Sequence, residues 1–167
     1  MSETLVNFMI NTFSGKISRE LLVFIVSMLP ILELRGGIIC GYALGMELLP
    51  TFIIAFIGNI LPVPFILLFI RFIFKQLKKT RFKGFIEKLE NRAVRKSDSI
   101  QKYAYFGLLL FVGVPLPGTG AWTGALIASL LDMDIKKSFI TIALGVLMAG
   151  VIIATLSYGL LAALGIG

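Results

Sequence analysis

A long apolar run near the start of this chain contains two charged side chains. The segment from Leu29 to Met46 is LPILELRGGIICGYALGM, and it places Glu33, Arg35 and the pair Gly36-Gly37 among apolar neighbours. An ionisable group at membrane depth is costly, and it usually faces a cavity or a partner rather than lipid. Glu33 and Arg35 are therefore the first candidates for a functional site.

The composition indicates that this run lies in a membrane. The chain has 167 residues, of which 57% are hydrophobic, and its mean hydropathy is +0.96. A soluble core of this size cannot bury so much apolar surface, so we expect an all-α integral membrane protein. The net charge of +7 would suggest nucleic acid for a soluble domain, but here it reports membrane topology and no nucleic-acid partner is expected.

Metal and cofactor chemistry are not expected from these residues. The chain has no histidine and one cysteine, Cys40, so the usual zinc ligand sets and an internal disulfide are excluded. No nucleophile–base pair of the histidine type is possible either, and we therefore expect no enzyme, no metal site and no cofactor.

The chain contains an internal repeat. An offset of 87 positions aligns residues 21–66 with residues 108–153 without gaps. The offset pairs proline with proline and glycine with glycine, as well as several apolar residues, and these matches include Pro30/Pro117, Gly37/Gly124, Gly58/Gly145, Phe52/Phe139 and Met46/Met133. The pattern indicates a duplication of one structural unit.

Short apolar segments flank each candidate break in the chain. Residues 4–14 are too few to cross a bilayer, which takes roughly 20 residues, so an interfacial helix is predicted there. Ser18 is a plausible N-cap for the next helix. The apolar run over 21–46 is expected to break at its two charges and at Gly36-Gly37, and to return as a re-entrant hairpin. The alternative is one continuous spanning helix over 21–46.

The remaining apolar segments predict two crossings and a second hairpin. Residues 48–74 are long enough to span, with a kink expected near 59–64 where Asn59, Pro62 and Pro64 occur. Asn59 either makes a polar helix contact or lines the substrate path. The sequence PLPGTG at 115–120 cannot continue a helix and predicts the second hairpin, and residues 138–164 supply the last span.

The basic residues are concentrated between the two repeats. Residues 71–102 carry 11 of the 16 lysines and arginines, which marks this segment as cytoplasmic. Phe82, Phe85, Ile86 and Leu89 recur at helical spacing, so the segment is either an amphipathic helix on anionic headgroups or a solvated linker helix.

Together these predictions give one transmembrane domain over 1–167, with repeat 1 at 18–74, a basic linker at 75–102 and repeat 2 at 103–167. Each repeat is predicted to be a re-entrant helical hairpin followed by a transmembrane helix. A hairpin enters and leaves on one side and the segment after it crosses once, so the repeats are inverted and their hairpins meet near the bilayer midplane. The basic linker places the opening of the first hairpin outside and that of the second in the cytoplasm. Secondary transporters build their binding sites in this way.

Four long motifs carry a family resemblance over essentially the whole chain. LELRGGIICGYALG, GNILPVPFILLF, KSDSIQKY and VPLPGTGAWTGALIASLLDM together resemble the small multidrug export protein family. That family is similar to the DedA, or VTT-domain, superfamily, whose members are expected to have opposed re-entrant hairpins. The superfamily includes undecaprenyl-phosphate carriers and lipid scramblases, so the resemblance implies a multi-pass protein of a prokaryotic plasma membrane.

The resemblance also implies which residues form the site. They are Glu33, Arg35, Gly36, Gly37 and Gly41 in the first hairpin, and Pro115, Pro117, Gly118, Thr119, Gly120, Trp122 and Gly124 in the second. Our own candidates add Asn59 and Thr123. DedA proteins typically carry further charged residues around the second hairpin, whereas the stretch from Pro117 to Gly124 has none.

Three functions from two classes are compatible with these residues. The first is a carrier, coupled to protons or Na⁺, for an amphipathic or lipid-like substrate such as a polyprenyl phosphate or a phospholipid. In that carrier Arg35 holds the anionic head and Glu33 is a proton site. The second is an exporter of lipophilic cations with Glu33 as counter-charge. The third is a non-transporting scaffold in which Glu33 and Arg35 neutralise each other. The oligomeric state, monomer or homodimer, is left open.

Overall fold

The computed structural model describes residues 2–13, 17–77 and 98–160, and the elements in this part of the chain are helices. Most of the basic linker lies at 78–97, outside the described residues, and so does the amphipathic helix predicted there. In chain order the elements are α1 (Ser2–Phe13), α2 (Arg19–Met28), α3 (Glu33–Ala43), α4 (Leu48–Ile60), α5 (Pro62–Leu77), α6 (Asp98–Gly113), α7 (Ala121–Leu130), α8 (Ile135–Ala154) and a π-helical turn (Thr155–Leu160).

Two helical stretches are long and apolar enough to cross a membrane. They are Leu48–Ile73, which covers α4 and most of α5, and Ile135–Gly159, which covers α8 and most of the π-helical turn. Only 28% of the most apolar 18 residues of the first stretch are buried, and 33% of those of the second. The core helix of a soluble protein would be mostly buried. Many large side chains on these stretches are exposed, among them Ile53, Ile57, Phe65, Leu68, Phe69, Ile140, Leu144 and Val151. This apolar surface is suited to lipid and is that of a membrane protein.

The first half breaks at a different place from the one predicted. Residues 29–32 interrupt the helix, and Gly36 and Gly37 lie inside α3. Proline disfavours helical backbone in the preceding residue, and Leu29, which precedes Pro30, is indeed extended. Gly37 serves packing instead, because a Cβ there would collide with the side chain of Ser27. The prediction of a break at Gly36-Gly37 is therefore wrong, and so is that of a continuous helix over 21–46.

Other local predictions are confirmed. The Ser18 side chain caps α2 by accepting a hydrogen bond from the Leu21 amide at 3.2 Å. The span over 48–74 is interrupted at Leu61, just before Pro62, within the predicted kink. The sequence at 115–120 separates α6 from α7.

The two halves share the same helix-ending turn. After α3 the Met46 amide donates to the Gly41 carbonyl at 2.9 Å and Gly45 has φ +68°. After α7 the equivalent bond runs from the Met133 amide to the Ala128 carbonyl at 3.0 Å, and Asp132 has φ +49°. This is the Schellman arrangement, which uses a left-handed residue to satisfy the last carbonyls of a helix. All these positions are related by the 87-residue offset, so the duplication predicted from sequence is also visible in the backbone.

Within each half two helices pack against the helix that follows them, and further helix contacts join the two halves. In the first half α2 and α3 pack on each other and on α4, and in the second half α6 and α7 both contact α8. Across the halves, α5 packs on α7 while α8 packs on α3 and α4. One short helix of each half, α3 or α7, therefore lies against a long helix of the other half.

Glycine is needed where α6 and α8 cross. A Cβ on Gly145 would lie 2.8 Å from the Val112 Cβ and 3.1 Å from the Leu109 carbonyl oxygen. We expect Gly145→Ala to lower the free energy of unfolding by about 1–3 kcal/mol, the usual cost of overpacking. Denaturation in detergent, followed by the fluorescence of the single tryptophan, measures this change.

The matched control is Gly107→Ala on α6, where a Cβ meets nothing within 4 Å. It should be neutral or stabilise by up to about 1 kcal/mol, because alanine is the better helix former. Equal effects of the two substitutions would show that the α6–α8 crossing does not require glycine.

Candidate functional site

The Glu33 carboxylate lies against the first turn of α7. The side chain is only 6% exposed, and its oxygens accept hydrogen bonds from the Ala121 amide at 3.1 Å and the Trp122 amide at 3.2 Å. The first amides of a helix have no partner within the helix, and the helix dipole favours a negative charge beside them. The first half of the chain thus supplies the anion, and the second half supplies the groups that hold it.

Backbone conformation on both sides allows this contact. Glu33 has φ +50°, which is uncommon for a residue with a side chain. Gly120 has φ +150°, and a Cβ on it would collide with the Glu33 carboxyl group. Only glycine fits at position 120 while the carboxylate occupies its place. The 87-residue offset makes Glu33 and Gly120 equivalent positions of the two repeats, and these equivalent positions touch.

Arg35 forms hydrogen bonds with the loop between α6 and α7, which is the break of the second half. Its Nη1 donates to the Leu116 carbonyl at 2.5 Å, and its Nη2 donates to the Thr119 carbonyl at 2.6 Å and to the Thr119 Oγ1 at 2.9 Å. A guanidinium presents several donors in a fixed plane, and here that plane gathers the acceptors of one short loop. Arg35 therefore connects α3 to the segment between α6 and α7.

Trp122 makes the reciprocal connection. Its indole Nε1 donates to the Met28 carbonyl at 3.2 Å, at the end of α2 and beside the break of the first half. The offset makes Trp122 the equivalent of Arg35. In each half, the side chain at this position donates a hydrogen bond to a backbone carbonyl at or beside the break of the other half.

Glu33 and Arg35 do not pair with each other. Both side chains are described, and no ion pair joins them; the described residues do contain an ion pair elsewhere, between Arg71 and Asp132 at 3.7 Å. The prediction that the two residues pair directly in an unwound segment is therefore wrong, although each charge still acts electrostatically on the other. The scaffold function stays a prediction. Both residues are in the helix α3, and their bonds go to different parts of the second half.

A small cavity adjoins the Glu33 carboxylate. Its volume is about 10 Å³, and it is lined by Glu33, Leu34, Arg35, Asn59, Val112, Gly120, Ala121, Val146 and Ala149. Asn59 is 1% exposed, and its Oδ1 has no hydrogen-bond partner. This residue on α4 therefore belongs to the same site as the two charges.

The other predicted site residues lie at varying distances from this centre. Pro115, Pro117 and Gly118 form the break between α6 and α7, and the Thr123 hydroxyl lies 3.4 Å from the Gly120 carbonyl oxygen. Gly36, Gly37, Gly41 and Gly124 instead allow close packing, against Leu32, Ser27, Thr51 and Val112 respectively. Those four glycines shape the helices that support the site.

Sequence reasoning missed the partners of the charged groups. The atoms that bind Glu33, Arg35 and Trp122 are mostly backbone amides and carbonyls, at Ala121, Leu116 and Met28. Such backbone partners cannot be predicted from residue types. The repeat offset was the available signal, because it makes Glu33 and Gly120 equivalent and places both beside a break.

These features define a helical membrane protein with a buried charged site between two related halves. A family model described as "Putative small multi-drug export protein" matches residues 33–152, well over half of the chain. The chain belongs to this small multidrug export family, as its motifs predicted. The description implies a transporter rather than an enzyme. No curated protein and no solved structure matches the chain.

The contact between Gly120 and Glu33 predicts a severe effect of one added methyl group. We expect Gly120→Ala to lower the free energy of unfolding by about 2–4 kcal/mol, because the substitution displaces the carboxylate from two amides and strains the backbone. The fluorescence of Trp122, the neighbouring tryptophan, should shift at the same time. Gly118→Ala is the control: it has φ +82° but open space around its Cβ, so only backbone strain of about 1 kcal/mol is expected. An equal loss in both variants would contradict the contact.

A double variant tests whether the two charges depend on each other. Glu33→Gln and Arg35→Gln each weaken bonds to different backbone atoms, at about 1 kcal/mol per bond. The double variant should therefore be less stable than either single variant. If the two charges only neutralised each other, removing one would lower the free energy of unfolding by about 3–5 kcal/mol, and removing both would restore much of that loss. Denaturation of all four proteins in the same detergent measures the coupling.

Proposed function

We propose that this protein is a secondary transporter that exports amphipathic small molecules, lipophilic cations among them. The observation that carries the proposal is the buried Glu33 carboxylate, which lies where the two halves meet and has backbone amides as its partners. A carboxylate held in this way forms no ion pair, and Arg35 acts on it only through its electric field. It is available as a counter-charge to a cationic substrate once the site opens.

The engagement of Arg35 favours a cationic substrate. Both of its terminal nitrogens donate to acceptors of the loop between α6 and α7. An anionic head would have to displace those acceptors, whereas a cation needs only access to Glu33. The family description points in the same direction, because multidrug exporters commonly act on lipophilic cations.

We further propose that the two halves are inverted in the membrane and that their short helices are re-entrant. Helix α2 has 10 residues and α3 has 11, which gives each a length of about 15 Å, half the thickness of the hydrocarbon core. The contact between Glu33 and Gly120 supports a two-fold relation, because equivalent positions touch only near a symmetry axis. The reciprocal bonds of Arg35 and Trp122 support it as well.

An opening movement at this contact would give alternating access. Glu33 is nearly inaccessible in the described arrangement, so the substrate needs the first half to move relative to α7. In transporters with inverted repeats the binding site lies at the repeat interface, and one repeat rocks against the other around it. Neutralising Glu33 weakens its attraction to the α7 amides, and this provides a physical link between charge and opening.

A flux assay tests the proposal. The purified chain in proteoliposomes should move tetraphenylphosphonium, and Glu33→Gln should lower the flux at least tenfold and reduce its pH dependence. Glu47→Gln is the matched control, because Glu47 is exposed at the start of α4 and away from the site. Wild-type flux in Glu33→Gln, or no flux in the wild type, would contradict the proposal.

A second candidate substrate is an anionic amphipathic lipid. It is favoured by one observation: the bond from Arg35 to the Leu116 carbonyl is exposed, and a guanidinium suits phosphate oxygens. The same vesicles loaded with a fluorescent lipid phosphate distinguish the two substrates. For this candidate Arg35→Lys should lose most of the flux, whereas for a cationic substrate Arg35→Lys should retain more flux than Glu33→Gln.

Surface positions in the two repeats test the inverted topology. In a Cys40→Ser background, Glu47→Cys should react with an impermeant thiol reagent applied to intact cells, and Lys136→Cys should not. Both residues are exposed, and they lie just after the Schellman turns of the two repeats. Labelling of both cysteines from the same side would exclude an inverted arrangement. The protection of Lys136→Cys would also place the basic side of the protein in the cytoplasm.

A further inference from the structure

Asn59, on the wall of the cavity beside Glu33, carries an unusual polar atom. Asn59 Oδ1 is a strong acceptor, it is buried, and it has no partner among the protein groups. A buried carboxamide oxygen without a hydrogen bond costs about 1–3 kcal/mol. Cavities that remain empty are typically apolar, whereas a cavity with polar atoms on its wall usually holds water.

The size and lining of the cavity suit one water molecule. Its volume of about 10 Å³ is close to the minimum for a single water, and it has Asn59 and Glu33 on its wall. A water molecule there would donate one hydrogen bond to Asn59 Oδ1 and one to the carboxylate. When Glu33 is protonated, the same water can accept a hydrogen bond from the carboxyl group.

We propose that Asn59 and Glu33 bind one buried water molecule and that Glu33 exchanges its proton through this water. The inference rests on the proposed function, and it names the proton as the coupling ion. Asn59 then acts as a positioning residue: it orients the water that carries the proton, and it does not itself touch the substrate.

The charges around the cavity argue against a metal ion at this place. Among the described residues, Glu33 and Arg35 are the titratable groups on the cavity wall, and the other lining side chains are neutral. Titratable groups on the elements packed against α3, namely Arg19, Glu20, Lys136, Lys137 and Tyr158, are not part of that wall. In this closed arrangement the Arg35 guanidinium and the positive end of α7 both repel a cation inside the cavity, whereas a neutral water is unaffected. The proposed cationic substrate reaches Glu33 only after the site opens and α7 has moved away from the carboxylate. The cavity therefore favours proton coupling over Na⁺ coupling.

The equivalent position in the other repeat supplies a second means of testing the cavity. The 87-residue offset pairs Asn59 with Val146 on α8, and Val146 lines the same cavity from the opposite side. Asn59→Leu removes the acceptor at similar volume. Val146→Ile leaves the acceptor in place and fills the space, so the two variants remove the water for different reasons.

Infrared difference spectroscopy of the purified chain in lipid, recorded between acidic and alkaline pH, tests the inference. The wild type should show a carboxyl band that is lost in Glu33→Gln, together with a water O–H band that shifts in heavy-oxygen water. Asn59→Leu and Val146→Ile should both lose the water band, and hydrogen–deuterium exchange of the carboxyl proton should slow at least tenfold. Asn59→Ser, which keeps a hydroxyl group, should retain the water band and covers the case in which Asn59→Leu does not fold.

Ser138→Ala is the matched control. Ser138 is also buried with an oxygen that lacks a partner, but it does not line this cavity. Its substitution should leave both bands unchanged. The inference is overturned if both bands persist in Asn59→Leu, if the water band persists in Val146→Ile, if no Glu33 carboxyl band appears in the wild type, or if Na⁺ at constant pH displaces the water band. None of these readouts depends on substrate flux, so the inference and the proposed function fail separately.

Discussion

The structure depends on the bond between a buried carboxylate and the start of a helix. A charge in an apolar interior is stable only when fixed dipoles or hydrogen bonds replace its hydration. Glu33 finds these groups in the amides of Ala121 and Trp122. They are available because the segment before α7 cannot be helical, so that a helix must begin there. The charge, the break and the helix start therefore require one another.

The duplication explains why this contact lies between the halves, and divergence explains why it works. In the proposed two-fold arrangement equivalent positions meet near the axis, so a carboxylate in both repeats would place two like charges together. The chain avoids this conflict with Glu33 in one half and Gly120 in the other. Arg35 and Trp122 diverge in the same way, since both reach a carbonyl at the opposite break but only one carries a charge. One half supplies charge, and the other supplies space and oriented amides.

Local chemistry made part of this fold predictable. The Ser18 cap, the interruption before Pro62 and the break at 115–120 follow from residue types that act on their own neighbours, and each was predicted from sequence. The break at Gly36-Gly37 was predicted wrongly because glycine has two uses, and tertiary contact decides between them: Gly37 lies against Ser27 in a continuous helix. The partners of Glu33 could not be predicted, since they are backbone groups brought close by the packing of the two halves.

In the proposed two-fold arrangement, a carboxylate on the axis also accounts for the absence of charge between Pro117 and Gly124 in the second repeat. In the proposed transporter the two halves exchange conformations, so any group away from the axis faces one side of the membrane at a time and would need a duplicate to serve the other. A group on the axis contacts both halves and is equally close to both openings. One Glu33 can then serve the inward and the outward state, and position 120 is free to become the glycine that makes room for it. The pairing of Asn59 with Val146 has the same logic, because a single acceptor on the wall of a shared cavity is within reach of the carboxylate from either repeat.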